Sequence, residues 1–174
     1  MNELKTMKDL FDDFIKEAEK FIDKQEIKKH LELEDHNFRI NSDGWKKITV
    51  DDIEYLENPE KDVWELLSEE CEGEQLFTYD AAIRETKRVG KLIPTDDELS
   101  ELLKTREDLK NIVYSGYRNT NASFYYLGSL LYLWSSSPSS ATYAWSRGLF
   151  SSSSTVYRVT TNKAYGFSVR CLKN

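Results

Sequence analysis

Few residues in this chain have the types and spacings that covalent or metal chemistry requires. There are two histidines, His30 and His36, and two cysteines, Cys71 and Cys171. The histidines sit in a charged stretch and make no ligand spacing such as H-E-x-x-H, so both read as solvated side chains. The cysteines are far apart and form neither a metal knuckle nor a disulfide framework. They read as reduced thiols, with Cys171 buried in a strand. Serine is abundant, but no histidine follows His36 to serve as its base, which speaks against a Ser–His mechanism. The G-x-S-x-G, Walker and G-x-G-x-x-G patterns are missing. Asp96 and Asp97 fall in the first turn of a helix, where capping and the helix dipole account for them. The second part of the chain lacks the carboxylates that a calcium site formed within it would need. The expectation is a protein that is not an enzyme, with no catalytic residues, no metal and no cofactor.

What the sequence does offer is a surface. Residues 111–174 hold 8 of the 10 tyrosines and 14 of the 17 serines. Tyrosine gives large contact area at low entropic cost and serine gives adaptable polar contact, the composition of evolved binding loops. Trp134, Trp145, Phe167 and Phe124 read as core. Tyr125-Tyr126 and Leu130-Leu131-Tyr132-Leu133 fit a core less well, because successive strand residues point to opposite faces and all of these are large. Some of them should meet solvent, and an exposed apolar patch marks a binding site.

The elements behind that surface can be read in turn. Residues 3–33 carry Leu4, Met7, Leu10, Phe11, Phe14, Ile15, Ala18, Phe21 and Ile22 at helical spacing with no Pro or Gly, predicting an amphipathic helix. Lys47–Val50 predicts a short strand, Asp51 or Asp52 the cap of a short helix, and Val63–Glu69 a further turn of helix. Thr78 caps a helix that ends at Gly90, and Thr95 with Glu98 forms a capping box. After Asn111 the pattern turns to strands at 112–117, 130–134, 142–147, 155–160 and 166–172, with the serine clusters 135–140 and 151–154 as loops. In the last strand, Phe167, Val169 and Cys171 alternate with Ser168, Arg170 and Leu172, as a half-buried strand would. The fold class is α+β.

Charge divides the chain. Residues 1–108 carry 17 basic and all 31 acidic residues, a net charge of −14; the seven basic residues after them give +7. The acidic part argues against nucleic acid as the main partner, and seven dispersed cations make no phosphate-tracking stripe. The two parts read as having different jobs or histories. No run of about 18 apolar residues is present, so no membrane span is expected. The start lacks the features of a signal peptide, giving a cytoplasmic location by default, with export by another route or virion association also open.

The stretch FTYDAAIRETKRVGKLIPTDDELSELL, followed by GYRN, LWSSSPSS, YAWSRGLF and YGFSVRCLK, resembles a bacterial and viral family with a C-type-lectin-like fold. That family takes in the paralogous surface domains typified in Fibrobacter and the variable proteins of diversity-generating retroelements. The resemblance spans about residues 73–174, leaving 1–72 as a separate helical and mixed N-terminal segment. It implies two helices plus a twisted antiparallel sheet, with a variable region at about 123–166. In retroelement systems template adenines are miscopied, so Asn codons become codons for Tyr, Ser, Leu, Val, Gly or Phe. Positions of that kind here would be Tyr125, Tyr126, Leu130, Leu131, Tyr132, Tyr143, Ser146, Gly148, Leu149, Tyr157, Val159 and Tyr165. The scaffold would be Gly128, Trp134, Ser135, Ser136, Trp145, Arg147, Gly166, Phe167, Val169, Arg170 and Cys171. The implied function is binding of a macromolecular ligand, protein foremost, on a diversified surface. The alternative is a structural or adhesion module of the same fold without diversification. Distant relatives include formylglycine-generating enzymes, whose reactive cysteines or metal are not matched here, and the E-P-N and W-N-D sugar motifs are not present.

Overall fold

The computed structural model describes residues 31–35, 37–71 and 73–173. Contacts divide the chain into Met1–Leu31 and Glu32–Asn174, and the second unit is the one described. Most of the helix expected over 3–33 lies outside the described residues, as do His30 and His36. Its last residues are not helical: 31 and 32 belong to no regular element, and Leu33 bridges Leu172. The compact unit thus takes in residues 32–71, which the sequence groups with the N-terminal segment.

The order is four strands, two helices, then five strands, an α+β arrangement with three antiparallel sheets. Strands β1 (Lys46–Val50), β2 (Ile53–Glu57), β3 (Val63–Leu66) and β4 (Gln75–Phe77) form one sheet in sequence order. Asp51 and Asp52 do not cap a helix. They make the two-residue turn between β1 and β2, with φ of 51° and 63°. Aspartate tolerates this left-handed conformation, which the tight hairpin needs at both turn positions. The helical turn expected at 63–69 is likewise replaced by strand β3. All four of its residues are buried, so it shows no polar alternation and its sequence cannot be told from a buried helix.

Helix α1 (Tyr79–Arg88) starts at Thr78, whose side chain accepts from the Ala81 N–H, and Gly90 follows at φ 72°. Helix α2 (Asp96–Leu102) carries the expected capping box between Thr95 and Glu98. A two-stranded ribbon, β5 (Tyr117–Arg118) with β6 (Phe124–Tyr125), precedes the long sheet of β7 (Leu130–Pro138), β8 (Tyr143–Phe150) and β9 (Val156–Asn162). Only the end of the strand expected at 112–117 forms, as β5. Serines 135–137 are not loop but part of β7, within an irregularity of its pairing with β8 between Trp134 and Pro138. Ser135 is buried there and donates to the Trp145 carbonyl at 2.8 Å, a side-chain bond where the ladder is interrupted.

Residues 166–172 differ most from expectation. They form no ladder strand and are buried on every side. Single bridges tie them to four places: Arg118 to Gly166, Phe77 to Phe167, Leu133 to Ser168 and Leu33 to Leu172. The polar members are satisfied unequally: Ser168 is hydrogen-bonded, whereas the Arg170–Glu74 ion pair leaves Arg170 Nε and both Glu74 carboxylate oxygens buried without a hydrogen bond. Ser168 shares a 2.8 Å hydrogen bond with Ser115, and the Arg170 guanidinium lies 3.8 Å from the Glu74 carboxylate. Both charged side chains are 1% exposed, and burial pushes the Glu74 carboxyl up to about 7 against the pull of Arg170.

The charge division seen in the sequence closes on itself. Of the seven late cations, Arg147 and Arg158 pair with Asp96, Arg170 with Glu74, Lys173 with Glu32 and Lys110 with Asp35. Within the described unit, acids at 32–96 and cations after residue 108 thus pair across one packed body.

Candidate functional site

The long sheet has two unlike faces. On one, Leu131 and Leu133 of β7 and Leu149 of β8 pack with Leu99, Leu103 and Leu109 from α2 and the chain after it. Asp96, the first residue of α2, receives the Arg147 and Arg158 guanidiniums across the same face. Burial alone would raise its carboxyl; the hydrogen bonds from Arg158 and Arg147 outweigh that and hold it below the ordinary range. Arg158 also lies over the Trp145 ring, 3.3 Å from its centroid.

The opposite face is aromatic. Tyr132, Gly148 and Tyr157 stand in one cross-strand row. A Cβ added at Gly148 would come within 2.7 Å of the Tyr132 ring, so the glycine is the space into which that ring lies. Tyr132 stacks on Phe167 with centroids 4.5 Å apart. Tyr117 then joins the group: its centroid is 5.7 to 6.2 Å from those of Tyr125, Tyr126, Tyr132, Tyr165 and Phe167. The approach of β5 to β6 depends on Gly116, at φ 66°, where a Cβ would sit 2.2 Å from the Tyr125 carbonyl oxygen. Beyond Tyr157 the face ends at Phe150, edge-on at 5.7 Å. Around the corner, Thr120, Tyr143, Thr160, Thr161, Asn162 and Tyr165 line a depression of about 320 Å³.

The twelve positions singled out in the sequence separate sharply. Tyr125, Tyr126, Tyr143 and Tyr157 are exposed, Tyr126 at 59%. Tyr132, Val159 and Tyr165 are half-buried. Leu130, Leu131, Ser146, Gly148 and Leu149 are buried and cannot be displayed as they stand. Leu130 and Leu131 do point to opposite faces, as the strand requires, but this part of β7 is covered on both. Tyr126 adopts φ 61°, an uncommon conformation for a residue with a bulky side chain, at the turn into β7. Its carbonyl accepts from the N–H groups of Ser129 and Leu130, each at 3.1 Å. Tyr117, the hub of the cluster, and Phe150 are not among the positions the sequence singles out. The Gly116-Tyr117 pair was the available signal, since a glycine before an aromatic marks a close backbone approach.

No carboxylate occurs from Leu109 onward, so the aromatic face offers phenols and hydroxyls next to a few cations. The Tyr117 and Tyr132 phenols are pushed up, first by burial and then by the neighbouring tyrosines, and stay protonated. The thiols stand apart from this face in character. Cys71 and Cys171 are both buried, and burial pushes the Cys171 thiol up to about 12. Among the described residues no group of three His, Cys, Asp or Glu is placed to hold a metal ion, and no helix is long and apolar enough to cross a membrane.

The family model for the Fibrobacter succinogenes major domain matches residues 43–173. The chain belongs to that family. The matched region begins upstream of the resemblance seen in the sequence and includes the whole sheet β1–β4. Residues 43–72, outside the stretch that carries the resemblance, therefore lie within the matched domain. Comparison with curated proteins and with solved structures gave no match.

Proposed function

We propose that this protein binds a macromolecular ligand, protein foremost, through the tyrosine face, on a scaffold of C-type-lectin-like type whose exposed positions are diversified by a retroelement. The observation that carries the reading is the placement of exposed apolar side chains. Among the described residues seven large hydrophobics are exposed, and five of them are Tyr125, Tyr126, Tyr143, Phe150 and Tyr157. They fall within the interval read as variable, while the core residues around them come from all parts of the chain. Tyr125 and Tyr126 meet through Tyr117 and Phe150 packs edge-on against Tyr157, while Tyr143 falls on the other side of β8 by register; exposed apolar side chains grouped in this way are characteristic of an interaction surface.

Burial narrows the diversified set. Tyr125, Tyr126, Tyr143 and Tyr157, with Tyr132, Val159 and Tyr165 at the margin, are the positions free to vary without opening the core. Leu130, Leu131, Ser146, Gly148 and Leu149 belong to the scaffold. The reading is not enzymatic, in keeping with a Cys171 thiol that is buried and poorly ionised.

The test is the neighbouring DNA. A reverse transcriptase gene and a near-copy of the segment encoding about residues 123–166, differing at adenines in the codons for Tyr125, Tyr126, Tyr143 and Tyr157, is the expected finding. A near-copy whose differences fall in the codons for Leu131, Leu149 and Ser146 instead would overturn this assignment of the surface. A stable oligomer that buries the tyrosine face would favour an assembly module.

A further inference from the structure

The two edges of the long sheet are treated differently. The β7 edge is guarded: Gly116 bridges Leu131, Ser168 bridges Leu133, and the strand ends in an irregularity and Pro138. The β9 edge is guarded only at its start, where Thr105 bridges Thr155 and Arg106 donates to the Ser154 carbonyl at 3.0 Å. Beyond that point β9 pairs with β8 in unbroken register from Val156 to Asn162. Lys163 donates inward to Thr142 at 2.9 Å. Counting from that bond, and independently from the outward Ser154 carbonyl, the main-chain groups of Arg158 and Thr160 point away from the sheet. No described residue meets them with a backbone hydrogen bond, and both residues are exposed. The strand VYRVTTN is β-prone and contains neither Pro nor Gly.

We infer that the β9 edge receives an extended acidic segment of a protein partner by strand addition, pairing with the main chain of Arg158 and Thr160. Main-chain bonds supply attachment and alternate side chains supply selection. The charge arrangement selects the occupant. Asp96 gives one carboxylate to two guanidiniums, Arg147 and Arg158, leaving one positive charge in excess beside the edge. Arg158 is the cation of this edge, since Lys163 turns its ammonium to the Ala141 carbonyl and the Tyr79 ring, and no carboxylate follows Asp108 in the sequence. A second copy of β9, paired about Val159, would set the two Arg158 side chains diagonally across one face, a like-charge contact. A foreign strand with a carboxylate opposite Arg158 relieves the excess. Its alternate residues, beside Tyr157 and Val159, continue the aromatic face and are apolar. The inference extends the ligand-binding reading but concerns the strand edge, not the displayed tyrosines.

The test uses the full chain and a blocked heptapeptide that alternates glutamate with valine, with a lysine–valine peptide as the charge control. Residue-resolved amide exchange and a titration are measured together. The expected result is slowed exchange at the Arg158 and Thr160 amides with the glutamate peptide alone. Thr160→Pro removes an outward N–H without touching the β8–β9 ladder, and is expected to weaken binding about tenfold or more. A Leu92→Ser variant, at an exposed side chain outside both the β9 edge and the tyrosine face, should bind the peptide as the parent does. No protection at Arg158 and Thr160 at millimolar peptide overturns the inference, as does equal response to the lysine peptide or full binding by Thr160→Pro. Protection confined to the tyrosine face overturns strand addition while leaving the ligand-binding reading intact. Self-association that Thr160→Pro abolishes would assign the edge to a second copy and overturn the acidic partner.

Discussion

Replacing Gly148 with alanine tests whether the aromatic face is a packed construction or a set of independent positions. The added Cβ would lie 2.7 Å from Tyr132 Cε1, and ordinary contact begins at 3.4 Å, so the ring must retreat by about 0.7 Å. It has little room to do so, being stacked on Phe167 at 4.5 Å and flanked by Tyr117 at 5.8 Å. Overpacking of this kind costs about 1–3 kcal/mol. Alanine is intrinsically better than glycine in a strand by about 0.5–1 kcal/mol, which offsets part of the cost. The net expectation for Gly148→Ala is a loss of about 1–2 kcal/mol, a fall in Tm of a few degrees for a chain this long. In a Tyr132→Ala background the obstacle is gone, and the same substitution should become neutral or stabilising by about 0.5 kcal/mol. The double-mutant cycle therefore yields an interaction of about 2 kcal/mol. Urea unfolding of the four proteins, with m unchanged between them, measures it. Additive effects, or a parent-like Gly148→Ala, would refute the claim that Tyr132 occupies the space left by the glycine.

Two further outcomes follow from the buried charges. Asp96→Asn leaves Arg147 buried without the carboxylate it pairs with and should cost about 3 kcal/mol or more in chemical unfolding; a cost near zero would contradict the geometry. Because the Asp96 carboxyl is held below its unfolded value, its contribution is present above the unfolded value and is lost as pH falls through the folded one. Glu74 has the opposite sign. Its carboxyl is raised to about 7, so the folded state holds the proton more tightly and stability declines as pH rises from about 4.5 to 7. Glu74→Gln should remove that decline, seen as a stability gap between variant and parent that widens over this window; parallel pH profiles would count against it.

The parts of the fold legible in the sequence were those with local signals. Thr78, Thr95 and Glu98 announced their helices because capping is a matter of a few adjacent atoms. The three strands of the long sheet were visible at Leu130, Thr142 and Thr155 because β-branched and aromatic residues gather between serine turns. The failures came where one residue type serves two geometries. Asp51-Asp52 suits a helix cap and a left-handed hairpin equally well. Val63-Trp64-Glu65-Leu66 is buried throughout and loses the alternation by which strands are recognised. The same blindness affected the site. The exposure of Tyr125, Tyr126, Tyr143 and Tyr157 is legible because large aromatics among serines are conspicuous. Gly148 and Ser146 were read as displayed because smallness looks alike whether it faces solvent or makes room for a neighbour. Leu130, Leu131 and Leu149 were misplaced because a sequence does not reveal that both faces of a strand are covered.

Residues 166–172 have a consequence for how the molecule comes into being. They bridge Phe77, Arg118, Leu133 and Leu33, and each of those is synthesised before them. Until this segment emerges from the ribosome, β4 and the long sheet lack the piece between them, and Glu74 waits without Arg170. The fold is therefore closed late and by contacts distant in sequence, which predicts slow completion. A nascent chain stalled short of Gly166 would carry nearly all its secondary structure and an open seam, the state that a chaperone would meet.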